Sequence, residues 1–117
     1  MDVTNLMPTD TLDLDEMQAS AERACELMKV LANPDRLLIL CQLSQHEMCV
    51  SELESSLGIV QPTLSQQLAV LRSASLVSTR RDGKNIFYAL SSVPALAVIN
   101  TLYQHFCTSK PKRYKQR

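Results

Sequence analysis

Two sets of residues in this chain have types and spacing that could do chemistry. Gln61, Thr63, Ser65, Gln66 and Gln67 crowd into one short stretch, and Cys25, Cys41, Cys49 and Cys107 supply four thiols. A glutamine pairs bidentately with adenine, a threonine meets a thymine methyl, and a serine pairs with either kind of base, so the first set suits base edges in a groove. Thiols bind metals, exchange disulfides or fill a core. With no CxxC pair, a zinc ribbon and a thioredoxin-type redox centre are both disfavoured. Enzyme chemistry is disfavoured too: there is no phosphate-binding glycine loop, and neither His46 nor His105 has an evident nucleophile and acid partner.

The polar stretch needs a helix to present it. Leu64, Leu68 and Leu71 recur at i, i+4 and i+7 and make an inward stripe, while Pro62, Thr63 and Gln66 project from the opposite side. Gln61 as cap and Pro62 at the first helical position predict a sharp start. Ser51 and Glu54 form a capping-box pattern for a short preceding helix with Leu53 and Leu57 inward and Gly58 at its end. Two short helices across a glycine-containing turn, the second with a polar outer face, are the helix-turn-helix pattern. Gln66 and Thr63 are then the leading base readers, with Ser65 and Gln67 beside them and Gln61 as a cap or phosphate contact.

The flanking segments complete a fold that is mainly α with a small β-hairpin wing. Asp13 and Glu16 open a helix to about Leu31 whose Leu14, Met17, Ala21, Ala24, Met28 and Leu31 share a face expected to be buried. Asn33-Pro34 opens a core helix to about Ser44 that is apolar nearly all round. Residues 76–81 and 85–90 read as two strands across a turn containing Asp82-Gly83, and Arg80, Arg81, Lys84 and Asn85 at the tip suit phosphates or a minor groove. Ser92 and Pro94 open a last helix to about Thr108. The expected domain is therefore 13–108, between an N-terminal arm at 1–12 and a disordered basic tail at 109–117.

Charge supports a polyanionic partner despite a net charge of zero. Residues 1–56 hold eleven acids against three bases, and residues 57–117 hold one acid against nine bases. The basic half carries the groove helix, and the acidic half orients its approach to double-stranded DNA. No apolar run approaches membrane-spanning length and no basic region precedes an apolar core at the N-terminus, so the expected location is cytoplasmic. A chain of 117 residues can bury a modest core, which dimerisation would help.

The helix order, the Asn33-Pro34-Asp35-Arg36-Leu37 start, the Val50-Ser51-Glu52-Leu53 helix, the Thr63-Leu64-Ser65-Gln66-Gln67-Leu68 segment and the wing together resemble the ArsR family of bacterial repressors, over roughly residues 15–107. The resemblance implies a homodimeric winged helix-turn-helix repressor, paired through its first and last helices, that leaves operator DNA when an inducer is sensed. Cys41, the run from Gly58 to Leu68, Asn85-Ile86-Phe87-Tyr88 and Phe106-Cys107 are similar to the BigR and SqrR branch. That likeness implies sensing of persulfides and other reactive sulfur species through Cys41 and Cys107, without a cofactor, and control of sulfide-detoxification genes.

Metal sensors in the same family set an alternative. Their thiolate site resembles Cys-Val-Cys, whereas this chain has Cys49-Val50-Ser51, and their zinc site takes carboxylate and histidine ligands from the last helix, which here offers only His105 and no acid. Sets drawn from His46 and Cys49, or from Cys41, His105 and Cys107, stay open, as does a winged helix used for protein contacts alone. Helical pitch puts Cys107 on the stripe with Leu96, Ile99 and Tyr103 and puts Cys41 beside Leu40, so both thiols are expected to be partly buried at a helix-helix contact. Both sit towards helix C-termini, where the dipole opposes thiolate formation. Cys25 and Cys49 read as structural.

Overall fold

Five helices and three short strands follow one another in the order α1 (Leu14–Leu31), α2 (Pro34–Leu43), β1 (Met48–Cys49), α3 (Val50–Leu57), α4 (Thr63–Ser73), β2 (Val77–Asp82), β3 (Asn85–Leu90) and α5 (Val93–Phe106). The computed structural model describes residues 13–107. The expected arm at 1–12 and basic tail at 109–117, with Thr108, lie outside the described residues.

Local chemistry sets most boundaries. The Asp13 carboxylate accepts from the Glu16 N–H at 2.8 Å, Asn33 Oδ1 from the Arg36 N–H at 3.0 Å, and Ser92 Oγ from the Ala95 N–H at 3.2 Å, so α1, α2 and α5 each start on a side-chain cap. The expected Ser51–Glu54 box is replaced by one two residues earlier: Cys49 is the cap residue, and its N–H donates to Glu52 Oε1 at 3.0 Å. Cys49 has already left α2 to pair in a strand, so α3 begins as soon as that pairing ends. Gly58 closes α3 at φ 73° and donates its N–H to Glu54 O at 2.9 Å. The next helix starts at Thr63 with Pro62 as its cap residue, one position later than expected.

The wing is wider than a hairpin. β3 is the central strand of a three-stranded antiparallel sheet in the order β1-β3-β2, with Met48 opposite Tyr88, Cys49 opposite Phe87 and Arg80 opposite Phe87 on the other side. β2 and β3 close through Gly83 and Lys84, where Gly83 takes φ 67°. Two residues are too few for β1 to show an alternating pattern.

The core forms where α2, α3, α4 and α5 converge. Ile39, Leu40, Leu53, Leu64, Leu68, Leu71 and Ile99 are its fully buried side chains. The stripe expected to bury α1 is mostly uncovered: Leu14, Met17, Ala21, Ala24 and Met28 are exposed, and Leu31 alone of that set is buried. The cause is geometric. α1 meets the core through its C-terminal end, where Leu27, Val30 and Leu31 pack, and a cleft of about 480 Å³ separates its middle from Leu76 and Pro94. Leu38 on α2 and Leu96, Tyr103 and Phe106 on α5 are exposed as well.

Candidate functional site

The reading head is built by burying one side of α4. Leu64, Leu68 and Leu71 go into the core, Ile59 anchors the turn after α3, and Gln61, Ser65, Gln66 and Arg72 are left facing solvent. Gln61 caps in the way its position suggested, though from outside the helix: its Oε1 accepts from the Ser65 N–H at 3.0 Å, satisfying one of the free donors of the first turn. Thr63 is half-buried. A shallow cleft of about 370 Å³ lies between α4 and β3, lined by Ser65, Ala69, Arg72, Ser73 and Tyr88.

Gln67 behaves differently from its neighbours. It is half-buried, and its Oε1 accepts from Arg36 Nη1 at 2.9 Å, which turns its carboxamide towards α2 and away from the face of Gln66. The same guanidinium donates to Val30 O at 2.7 Å. Arg36 was not foreseen as a functional residue. The signal was present, since it is the one cation of α2.

At the wing, Arg81, Lys84 and Asn85 are exposed. Arg80 is exposed too, but its guanidinium is engaged. Its Nε donates to both oxygens of Glu47, at 2.8 and 3.0 Å, its Nη2 also pairs with Glu47, its Nη1 lies 3.9 Å from Asp82, and its guanidinium sits 4.6 Å from the centre of the Phe87 ring. Hydrogen bonding from Arg80 holds the Glu47 carboxyl below the usual range, and the bond to Glu47 in turn raises Arg80. Of the four wing residues expected to meet DNA, Arg80 is thus paired with Glu47, and an arginine 33 positions from its carboxylate partner gives no local sign of it.

The thiols fall into three environments. Cys41 is half-buried on α2, and Cys107 is the exposed cap residue at the end of α5, its N–H donating to Tyr103 O at 2.9 Å. Packing of α2 against α5 brings the two within electrostatic reach: burial pushes the Cys41 thiol up, and charge on Cys107 pushes it further. Cys107 was expected to be partly buried, but the chain ends its helix there and nothing within one subunit covers it. Cys49 is buried, with Sγ 3.3 Å from Ser51 Oγ, whereas Cys25 lies exposed on α1. Among the described residues no group of three or more His, Cys, Asp or Glu could hold a metal ion, so the set of Cys41, His105 and Cys107 is not assembled there. His105 is exposed. No helix among the described residues is long and apolar enough to cross a membrane.

Known proteins carry the same arrangement. Residues 33–79, which span α2 to the start of β2, match the family described as bacterial regulatory protein, arsR family. The biofilm growth-associated repressor of Xylella fastidiosa strain Temecula1 is 46% identical over 96 residues, covering 82% of this chain and 84% of that protein. The crystal structure of the transcriptional repressor BigR from Xylella fastidiosa superposes with a TM-score of 0.76 at 44% identity, over 84% of this chain and all of that one. Reduced HlyU from Vibrio cholerae gives a TM-score of 0.78 at 43% identity, over 81% of this chain and all of that one. With this fold, this helix-turn-helix and these relatives, the chain belongs to the ArsR family of bacterial regulatory proteins.

Proposed function

We propose that this protein is a cytoplasmic, dimeric transcriptional repressor that releases operator DNA when Cys41 and Cys107 become bridged by a disulfide or polysulfide, and so derepresses genes for the detoxification of reactive sulfur species. The observation that carries the sensing step is the packing of α2, which holds Cys41, against α5, which ends at Cys107. α2 also leads, through Arg36, to the reading helix.

Exposure orders the chemistry. Cys107 meets solvent first, and Cys41, half-buried and with its thiol pushed up, resolves. The Cys107 thiolate attacks the outer sulfur of an organic persulfide, expelling the organic thiolate and leaving a protein persulfide. The Cys41 thiolate then attacks the inner sulfur, expelling hydrosulfide and closing a disulfide. If both cysteines are persulfidated, the terminal sulfur of one attacks the inner sulfur of the other, again expelling hydrosulfide, and a trisulfide forms. Each added sulfur extends the reach by roughly 2 Å beyond the about 7 Å Cα separation that a plain disulfide tolerates, which favours sulfur donors over simple oxidants.

Dimerisation is supported by the uncovered apolar side chains of α1 and α5, Leu14, Met17 and Met28 on one and Leu96, Tyr103 and Phe106 on the other. A two-fold pair of reading heads takes half-sites about 34 Å apart. Gln66, Thr63 and Ser65 read bases from α4, Gln61 orders its first turn, and Arg81, Lys84 and Asn85 hold the backbone, with the basic tail adding further phosphate contacts.

Intact mass spectrometry run beside an operator-binding assay tests this reading. Persulfide treatment should add whole sulfur atoms or close a bridge as DNA is lost, and Cys41→Ser and Cys107→Ser proteins should stay bound. If either variant still releases DNA under persulfide, the two-thiol switch is wrong. Release by a metal ion with both thiols unmodified would assign the inducer to the metal class.

A further inference from the structure

We propose that Glu47 withholds Arg80 from DNA and thereby lowers the affinity of the wing for any duplex, whatever its sequence; the inference rests on the DNA-binding reading above. Because β3 lies between β1 and β2, Arg80 on β2 has to reach across the whole sheet to meet Glu47, the residue just before β1. It does so over Phe87, the residue paired with Arg80 on one side and with Cys49 on the other. Phe87 thus supplies a platform that holds the guanidinium edge-on to the carboxylate, with Nε bonded to both oxygens. The pair is charge-neutral at a distance, since Glu47 is held below the usual carboxyl range and an arginine stays protonated.

The number of cations makes this matter. Residues 57–107 contain four, Arg72, Arg80, Arg81 and Lys84, against the single acid Asp82, so masking Arg80 removes one of the four cations of the segment that carries the reading head and wing. The two side chains are 52% and 37% accessible, so a phosphate can approach the pair and compete for the arginine. A carboxylate acts here as a resident stand-in for phosphate. Since phosphates carry no sequence information, the competition weakens binding equally on every duplex and leaves base reading by α4 untouched, so operator and bulk DNA are both held less tightly while the ratio between them is kept.

Binding to a duplex of random sequence, measured from 50 to 200 mM salt for the full-length protein, decides it. Glu47→Gln should steepen the dependence of log K on log salt by about 0.9, one additional phosphate contact, and raise affinity at low salt. Arg80→Gln should keep the wild-type slope, the double variant should match Arg80→Gln, and Arg81→Gln should flatten the slope by about 0.9. Partial unfolding moves the intercept of these lines and not their slope, so a merely structural role for the pair would leave the slopes alone. An unchanged slope in Glu47→Gln overturns the proposal, as does an equal gain from Glu47→Gln in the Arg80→Gln background, which would reduce Glu47 to a repelling charge. Flattening by Arg80→Gln alone also overturns it. Wild-type protein without salt-dependent binding overturns the DNA-binding reading together with this one, whereas wild-type binding with an unchanged Glu47→Gln slope overturns this one alone.

Discussion

Arg36 and Gln67 are joined by a 2.9 Å hydrogen bond that runs from the N-terminal turn of α2 to the side of α4, and the same guanidinium takes Val30 O, in the last turn of α1. One side chain therefore ties the end of the first helix to the reading head. Gln67→Met, similar in size and without the acceptor, should weaken operator binding about fivefold, the worth of roughly 1 kcal/mol for a lost hydrogen bond. A double-mutant cycle with Arg36→Gln checks it: strongly non-additive losses are expected, and additive ones would separate the bond from the placement of α4.

The raised Cys41 thiol gives a pH signature. Burial, and then charge on Cys107, favour its neutral form, so at neutral pH its thiolate is scarcer than that of a free cysteine. The bridging step, followed by loss of DNA fluorescence anisotropy under persulfide, should accelerate about tenfold per pH unit up to the thiol's own pKa. The stability linkage has the matching sign. The folded state favours the protonated thiol, so this contribution is present below the ordinary thiol pKa and fades as pH rises through the raised one. Cys41→Ser should therefore show a smaller alkaline loss of stability in chemical denaturation.

Base reading and backbone holding separate by experiment. Gln66→Ala should cost about 1–3 kcal/mol on the operator and almost nothing on random duplex, whereas Lys84→Gln should weaken both alike and flatten the salt slope by about one unit. Competition titrations against the two duplexes at several salt concentrations distinguish these outcomes. A loss confined to the operator in Lys84→Gln would move that residue from phosphate to base.

Core and association faces should also part company. Leu68 is 1% exposed, so Leu68→Ala should destabilise the fold by about 2–5 kcal/mol in urea. Met17 and Phe106 are exposed in the single chain, at 48% and 71%, and a charge at either should leave the monomer folded while shifting sedimentation from dimer to monomer. Retention of the dimer in both Met17→Asp and Phe106→Asp would displace the interface from α1 and α5.

Much of the architecture was legible because local signals agreed. Asp13, Asn33 and Ser92 cap the helices they were expected to cap, Leu64, Leu68 and Leu71 are buried together, and Gly58 ends α3 as a left-handed residue should. What was missed depends on groups distant in sequence. β1 exists because β3 is there to pair with it, Cys49 becomes a cap because that pairing precedes it, and Arg80 is neutralised by a glutamate that no spacing rule connects to it. The α1 stripe was read correctly as apolar, but periodicity tells which residues avoid water and not which chain covers them. For the thiols, pitch placed Cys41 and Cys107 on helix faces, while the effect of Cys107 on Cys41 required knowing that α2 lies against α5.

Cys41 and Cys107 enclose the reading head and the wing between them in the chain, and this has a topological consequence. Joining them would turn the whole DNA-binding portion into a covalent ring of some 67 residues, which restricts the unfolded chain by about 4 kcal/mol on a loop-entropy estimate. The silenced form of the protein would then be the sturdier one, outlasting its DNA-binding counterpart against heat and proteases. Recovery of repression would follow the supply of cellular reductant that reopens the ring, instead of the synthesis of fresh protein.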